Sequence, residues 1–157
     1  MQLRRKTWIT LVVALGLMLF SGITASMTQT DFYSVEVQDI REDFGDGFEY
    51  SALLYKPDEA SEDTPLPAIV LSHGYLNNRE LQAQNAVELS RRGFIVMTVD
   101  RPGHGHSELP SNDVDALVTD QKGMVRAVEW LYEKDYVDKD MIGVPGHSMG
   151  GFDTAMT

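Results

Sequence analysis

The 157-residue chain contains no cysteine. A disulfide framework, a thiolate metal cluster, a thiol nucleophile and a lipidated cysteine are thereby excluded. Phosphate-cradling signatures are missing too, since neither G-x-x-x-x-G-K-S/T nor G-x-G-x-x-G occurs. Basic residues are scarce. Thirteen Lys and Arg stand against 24 Asp and Glu, a net charge of −11; three of the thirteen are Arg4, Arg5 and Lys6, so residues 31–157 carry ten bases, 24 acids and a net −14. Such a surface repels a phosphate backbone, and no basic stripe interleaved with aromatics offsets it, which argues against a nucleic-acid partner. The length suits one core-bearing domain.

Charge is also absent from Thr7 to Thr30, 24 residues whose apolar centre, Trp8 to Phe20, follows directly on Arg4, Arg5 and Lys6. A cationic flank stays in the cytoplasm while the apolar stretch enters the bilayer. The segment reads either as a signal peptide, with a small-residue site near Ile23-Thr24-Ala25, or as an uncleaved anchor. Thr7 to Ala25 as a helix is about 28 Å long, enough to span. Both readings divide the chain into a targeting segment, residues 1–30, and an extracytoplasmic body, residues 31–157.

Ser34-Val35-Glu36-Val37-Gln38 alternates with period two and Phe48 to Tyr55 is rich in aromatic and apolar residues, so both read as strands. Gly45-Asp46-Gly47 between them supplies turn chemistry for an antiparallel hairpin. Pro57, Pro65 and Pro67 bound the acidic stretch Asp58 to Thr64, a solvated surface loop. Then the rhythm changes. Ala68-Ile69-Val70-Leu71, Phe94 to Val99 and Met141-Ile142-Gly143-Val144 are short, almost continuously apolar runs, expected as strands buried on both faces. Helical patterns fill the intervals: Arg79 to Arg92 ahead of Gly93, and Val114, Leu117, Val118, Val125, Val128, Leu131 and Tyr132 at helical spacing. Alternating strands and helices predict an α/β fold, a mainly parallel sheet with right-handed crossovers.

Gly146-His147-Ser148-Met149-Gly150-Gly151 follows the last apolar run and fits G-x-S-x-G. In that pattern the serine sits on a strained strand-to-helix turn, where side chains two residues away on either side collide with neighbouring backbone, hence Gly146 and Gly150. Ser148 is the candidate nucleophile. An oxyanion needs two backbone donors, the amide after the nucleophile, Met149, and one from the loop closing the first buried strand, Ser72-His73-Gly74-Tyr75, where Tyr75 is the candidate. His73 is expected to shape that loop rather than transfer protons. Asp100-Arg101-Pro102-Gly103-His104-Gly105-His106-Ser107, a glycine-punctuated turn, shapes the mouth of the site. His104 and His106 alternate in an irregular turn without helical spacing or an evident third ligand, a poor metal pair. Pro145 requires the strand before the elbow to finish at or before Val144.

His-Gly, Asp-x-x-Gly-x-Gly-x-Ser and Gly-His-Ser-Met-Gly-Gly, in this order, resemble the α/β-hydrolase superfamily, in its serine esterase, lipase and peptidase branches. Val137 to Val144 looks like the dienelactone-hydrolase and acyl-peptidase branch. The resemblance covers roughly residues 34–157, the first half of that family's domain. It implies an antiparallel hairpin leading into a mainly parallel sheet with helices on both faces, no cofactor or metal, a small-molecule or peptide acyl substrate, and a triad in the chain order serine, acid, histidine. Nine residues follow Ser148, with Asp153 and no histidine among them, so the chain reads as truncated after the elbow. Three functions stay open at this point: an exported serine hydrolase of esters or amides, a non-catalytic module on the same scaffold, and non-hydrolytic lyase or peroxidase chemistry.

Overall fold

A computed structural model describes residues 2–45, 47–109, 122–148 and 150–151. The helix α1, Gln2–Gln29, precedes strand β1, Val35–Asp43, which pairs antiparallel with β2, Glu49–Pro57. The turn closes because the Asp43 carboxylate accepts the amides of Gly45 (2.7 Å) and Gly47 (3.0 Å), both at positive φ. Strands β3, Leu66–Ser72, β4, Ile95–Val99, and β5, Val137–Gly143, complete a five-stranded sheet in the order β1-β2-β4-β3-β5. β3 runs parallel to both β4 and β5, whereas β2 runs antiparallel to β4. This mixed sheet is the expected α/β architecture.

Helices cover both faces. On one, α3, Lys122–Tyr132, presents Met124, Ala127 and Leu131 at helical spacing to Leu54, Val70, Ile95 and Met97. On the other, α2, Ala83–Ser90, sets Ala86 against Tyr55, Leu71 and Val96. All five β4 residues are buried, and each fully buried aliphatic side chain there contributes about 2 kcal/mol.

The structure corrects two expectations. The helical pattern over Arg79–Arg92 divides into a 3₁₀ turn, Arg79–Gln82, and α2 proper, because the Asp100 carboxylate captures the Arg79 amide at 2.7 Å. β5 begins at Val137 and is mostly exposed rather than buried on both faces; among the described strands it pairs with β3 alone, and Met141 is 57% exposed. Of the second helical pattern, Val114, Leu117 and Val118 lie outside the described residues.

Candidate functional site

Parallel strands end on one edge of the sheet, and their loops meet there. β5 stops at Gly143, and after Pro145 the ladder resumes as a single parallel bridge between Gly146 and Ser72, where the His147 amide donates to the Ser72 carbonyl (3.3 Å). Pro145 falls in the irregular step between the two, where no donor is required. The chain then reverses sharply. Ser148 sits exposed at φ 55°, and the Gly150 and Gly151 amides donate to the carbonyls of His147 and Ser148 (both 3.0 Å), opening a helical turn. A Cβ at Gly146 would overlap the Gly150 carbonyl, and one at Gly150 would lie 2.8 Å from the Ser72 backbone. The strain at Ser148 is therefore held by two glycines that admit close backbone approach. Met149 lies outside the described residues.

The loop after β3 passes against this elbow. A Cβ at Gly74 would stand 3.3 Å from Ser148 Cβ and 3.4 Å from His147 Nδ1. Next to it, Tyr75 is half-exposed and Leu76 adopts φ 57°, while among the described residues the Tyr75 amide makes no hydrogen bond. No side chain among the described residues hydrogen-bonds the Ser148 hydroxyl. A groove of about 400 Å³ runs from the elbow along α2, between Leu71, Gln82, Leu89, Pro145 and His147.

His73 is fully buried, and its two nitrogens have different partners. Nε2 accepts the Arg101 amide (3.1 Å), which assigns the proton to Nδ1, donating to the Gly74 carbonyl (2.7 Å). Desolvation lowers its pKa below the ordinary histidine range, outweighing the Gly74 hydrogen bond and the nearby Asp100 carboxylate. A neutral imidazole thus fastens the β3 loop to the β4 loop, the shaping role expected of it.

Sequence reasoning missed the hub beneath these loops. Asp100, fully buried at the end of β4, accepts the amides of Arg79 (2.7 Å) and His106 (3.0 Å). The buried Arg79 guanidinium donates to Asp39 (2.7 Å) and to the Ala52 carbonyl (2.8 Å), and its Nε lies 3.9 Å from the Asp100 carboxylate. Asp39 is held below the usual carboxylate range chiefly by that Arg79 hydrogen bond. A Cβ at Gly105 would strike the Asp100 carboxylate, which explains the glycine spacing of this turn. Ser107 accepts the Ser51 amide (2.9 Å) and donates to the Asp100 carbonyl (2.8 Å). His104 then stands edge-on to Tyr75, ring centroids 6.0 Å apart, so the β4 loop flanks the β3 loop at the mouth.

The chain is similar to several known proteins. It is 27% identical over 111 residues to the acylamino-acid-releasing enzyme of Sus scrofa, covering 68% of this chain and 15% of that protein. Over 130 residues it is 29% identical to a probable chloroplastic glutamyl endopeptidase of Oryza sativa subsp. japonica, covering 70% of this chain and 14% of that one. Among solved structures, acetyl xylan esterase 1 of Thermoanaerobacterium sp. JW/SL YS485 superimposes with a TM-score of 0.62 at 23% identity, covering 77% of this chain and 43% of that one. The chain thus spans less than half the length of each. The family model for the alpha/beta hydrolase fold matches residues 67–156, from β3 through both loops and past the elbow. That match takes in more than half of the chain, and the protein therefore belongs to the α/β-hydrolase fold family.

Proposed function

We propose that the protein is an exported serine hydrolase of carboxylic esters or amides, with Ser148 as nucleophile. The observation that carries this reading is the elbow: an exposed serine at positive φ, between two glycines that admit no Cβ, facing the loop of Gly74 and Tyr75. The Ser148 oxygen attacks the acyl carbonyl carbon and loses its proton to a base. The amides of Tyr75 and Met149 hold the resulting oxyanion, and collapse expels the alcohol or amine, which takes up a proton. Water then adds to the acyl-enzyme and releases the acid, restoring the serine. The similarity to an acylamino-acid-releasing enzyme and an acetyl xylan esterase supports acyl-transfer chemistry without choosing between amide and ester. The export half of the proposal rests on α1, whose segment Arg5–Gln29 is long and apolar enough to cross a membrane, behind a cationic flank.

The test is covalent labelling of the full-length protein with a fluorophosphonate probe. The wild type is expected to label and Ser148→Ala to lose the label. Equal labelling of the two moves the nucleophile elsewhere, and absence of label from a folded wild type favours the non-catalytic module.

A further inference from the structure

We infer that α1 is a retained anchor joined to the body by a rigid corner, and that this corner turns the candidate catalytic edge away from the bilayer. The hydrolase would then draw its acyl substrate from the external aqueous compartment rather than from the lipids that carry it. Only the clause on substrate rests on the serine-hydrolase reading; the anchor and its orientation stand on their own observations.

Retention follows from what surrounds the small-residue site near Ala25. Helix α1 continues unbroken through it to Gln29, and the residues beyond are built into the body. Ser26 and Met27 are half-buried, the Ser26 carbonyl accepts both the amide (3.1 Å) and the hydroxyl (2.9 Å) of Thr30, and the Met27 carbonyl accepts the Phe32 amide (2.7 Å). A bilayer also matches the dimensions. Trp8 and Gln29 are about 32 Å apart along the helix, close to the thickness of a hydrocarbon core of about 30 Å. Exposed aromatics stand at both ends, Trp8 beside the cationic flank and Phe32 and Tyr33 (70% and 58% exposed) past the other end, where interfacial rings belong.

The corner is not a loose tether. Asp31, Phe32 and Tyr33 all adopt positive φ (46°, 57° and 69°), a costly run for side-chain-bearing residues that persists because the surroundings fix it. Thr30 accepts the Val35 amide on its carbonyl (3.0 Å) and the Tyr33 amide on its hydroxyl (3.1 Å), and Ser34 donates its hydroxyl to the Asp31 carbonyl (2.7 Å). The Asp31 carboxylate pairs with Arg91 just past α2 (2.9 Å), and the Asp58 amide donates to the Ser34 carbonyl (3.0 Å).

These ties place the anchor at one end of the sheet. Val35 pairs with Pro57, and Tyr55 with Val96, so the start of β1, the end of β2 and the start of β4 share that end, as does the start of β3. Ser72 and the elbow lie at the opposite end, the length of β3 away, or about 20 Å. Residues 5–25 of α1 are exposed, so the helix leaves the body rather than folding back along it. A membrane around α1 thus lies on the side remote from Ser148, and ester bonds of its lipids lie out of reach.

The experiment uses the full-length protein in phosphatidylcholine–phosphatidylglycerol vesicles, with one fluorophore at a cysteine introduced by Phe32→Cys or by Leu76→Cys, with Asn77→Cys as a second reporter beside the elbow. Nitroxide-headgroup lipids should remove most of the emission at position 32 and leave position 76 or 77 at its nitroxide-free level. Mass spectrometry of the mature protein should retain residues 1–25. Loss of those residues overturns the anchor, and equal quenching at both sites overturns the orientation. Ser148→Ala should leave the quenching pattern unchanged whether or not the wild type takes a fluorophosphonate label, so failure of the hydrolase reading is seen separately. In a labelling-competent protein, turnover of vesicle phospholipid as fast as a water-soluble ester would overturn the substrate clause.

Discussion

At the scale of single residues, glycine contacts make the sharpest distinction. A methyl at Gly146 meets the Gly150 carbonyl, backbone that has nowhere to go, whereas one at Gly143 has, among the described residues, Ile69 Cγ1 4.0 Å away as its only close neighbour. Gly146→Ala is therefore expected to lose about 1–3 kcal/mol of stability, as forced overpacking does, and to lose fluorophosphonate labelling with it. Gly143→Ala should keep the label, and denaturant midpoints together with labelling check both variants. His73 carries a pH signature. Burial disfavours its proton in the folded state, so the unfolded chain binds more protons and acid destabilises the fold. The loss begins near pH 6.5, the ordinary histidine value, and continues down to the depressed folded value with a limiting slope of about 1.4 kcal/mol per pH unit. Asp39, depressed in turn, contributes stability above the usual carboxylate range that fades only as pH falls through its lowered pKa, a separate and more acidic window. Urea titrations at pH 7 and pH 5.5 should show a shallower pH dependence in His73→Gln than in wild type; equal dependence would contradict a neutral buried imidazole. Ser148, Gly146 and Gly150 are legible in sequence because their geometry is local. The Arg79–Asp100 hub is not, because the two residues are 21 positions apart and meet only through the crossover, and Arg79 reads as an ordinary charge at a helix start.

At the scale of elements, periodicity located the hairpin, both central strands and the two helices packed on the sheet, with boundaries displaced where charge masks a strand. β5 is the clearest case. Asp138, Lys139 and Asp140 hide its first half in sequence, yet these residues are strand because they lie on an edge where polar side chains face solvent. Its exposure also differs from the expectation for an apolar run, since Met141-Ile142-Gly143-Val144 looks like a central strand while β3 is its sole described partner. An apolar edge whose outer ladder groups have no partner among the described residues invites a second copy. Residues 31–157 expressed alone are expected to self-associate, and Met141→Lys, which places a charge on that edge, should lower the associated fraction in sedimentation velocity. A sharp monomer at all concentrations for the unsubstituted fragment would contradict this.

At the scale of the whole molecule, these 157 residues hold the elbow and the β3 and β4 loops, while the match covers only 15% of the acylamino-acid-releasing enzyme and 43% of the acetyl xylan esterase. A serine hydroxyl is a poor nucleophile until a base takes its proton. His73 is buried with both nitrogens engaged, His104 is buried with Nδ1 3.1 Å from the Pro102 carbonyl, and neither His106 nor His147 hydrogen-bonds the Ser148 hydroxyl. In subtilisin, a worked example of triad energetics, losing the catalytic histidine alone costs on the order of 10⁶ in kcat. That factor is roughly 8 kcal/mol of transition-state stabilisation, more than a chance hydrogen bond from His147 restores. The 157-residue chain by itself is therefore expected to hydrolyse p-nitrophenyl acetate no faster than its Ser148→Ala variant, even where it folds, and His147→Ala should change nothing further. Serine-dependent turnover in the range of roughly 1 to 10³ s⁻¹ typical of enzymes would show that one of the four histidines serves as base, and His147→Ala would then be the first variant expected to abolish it.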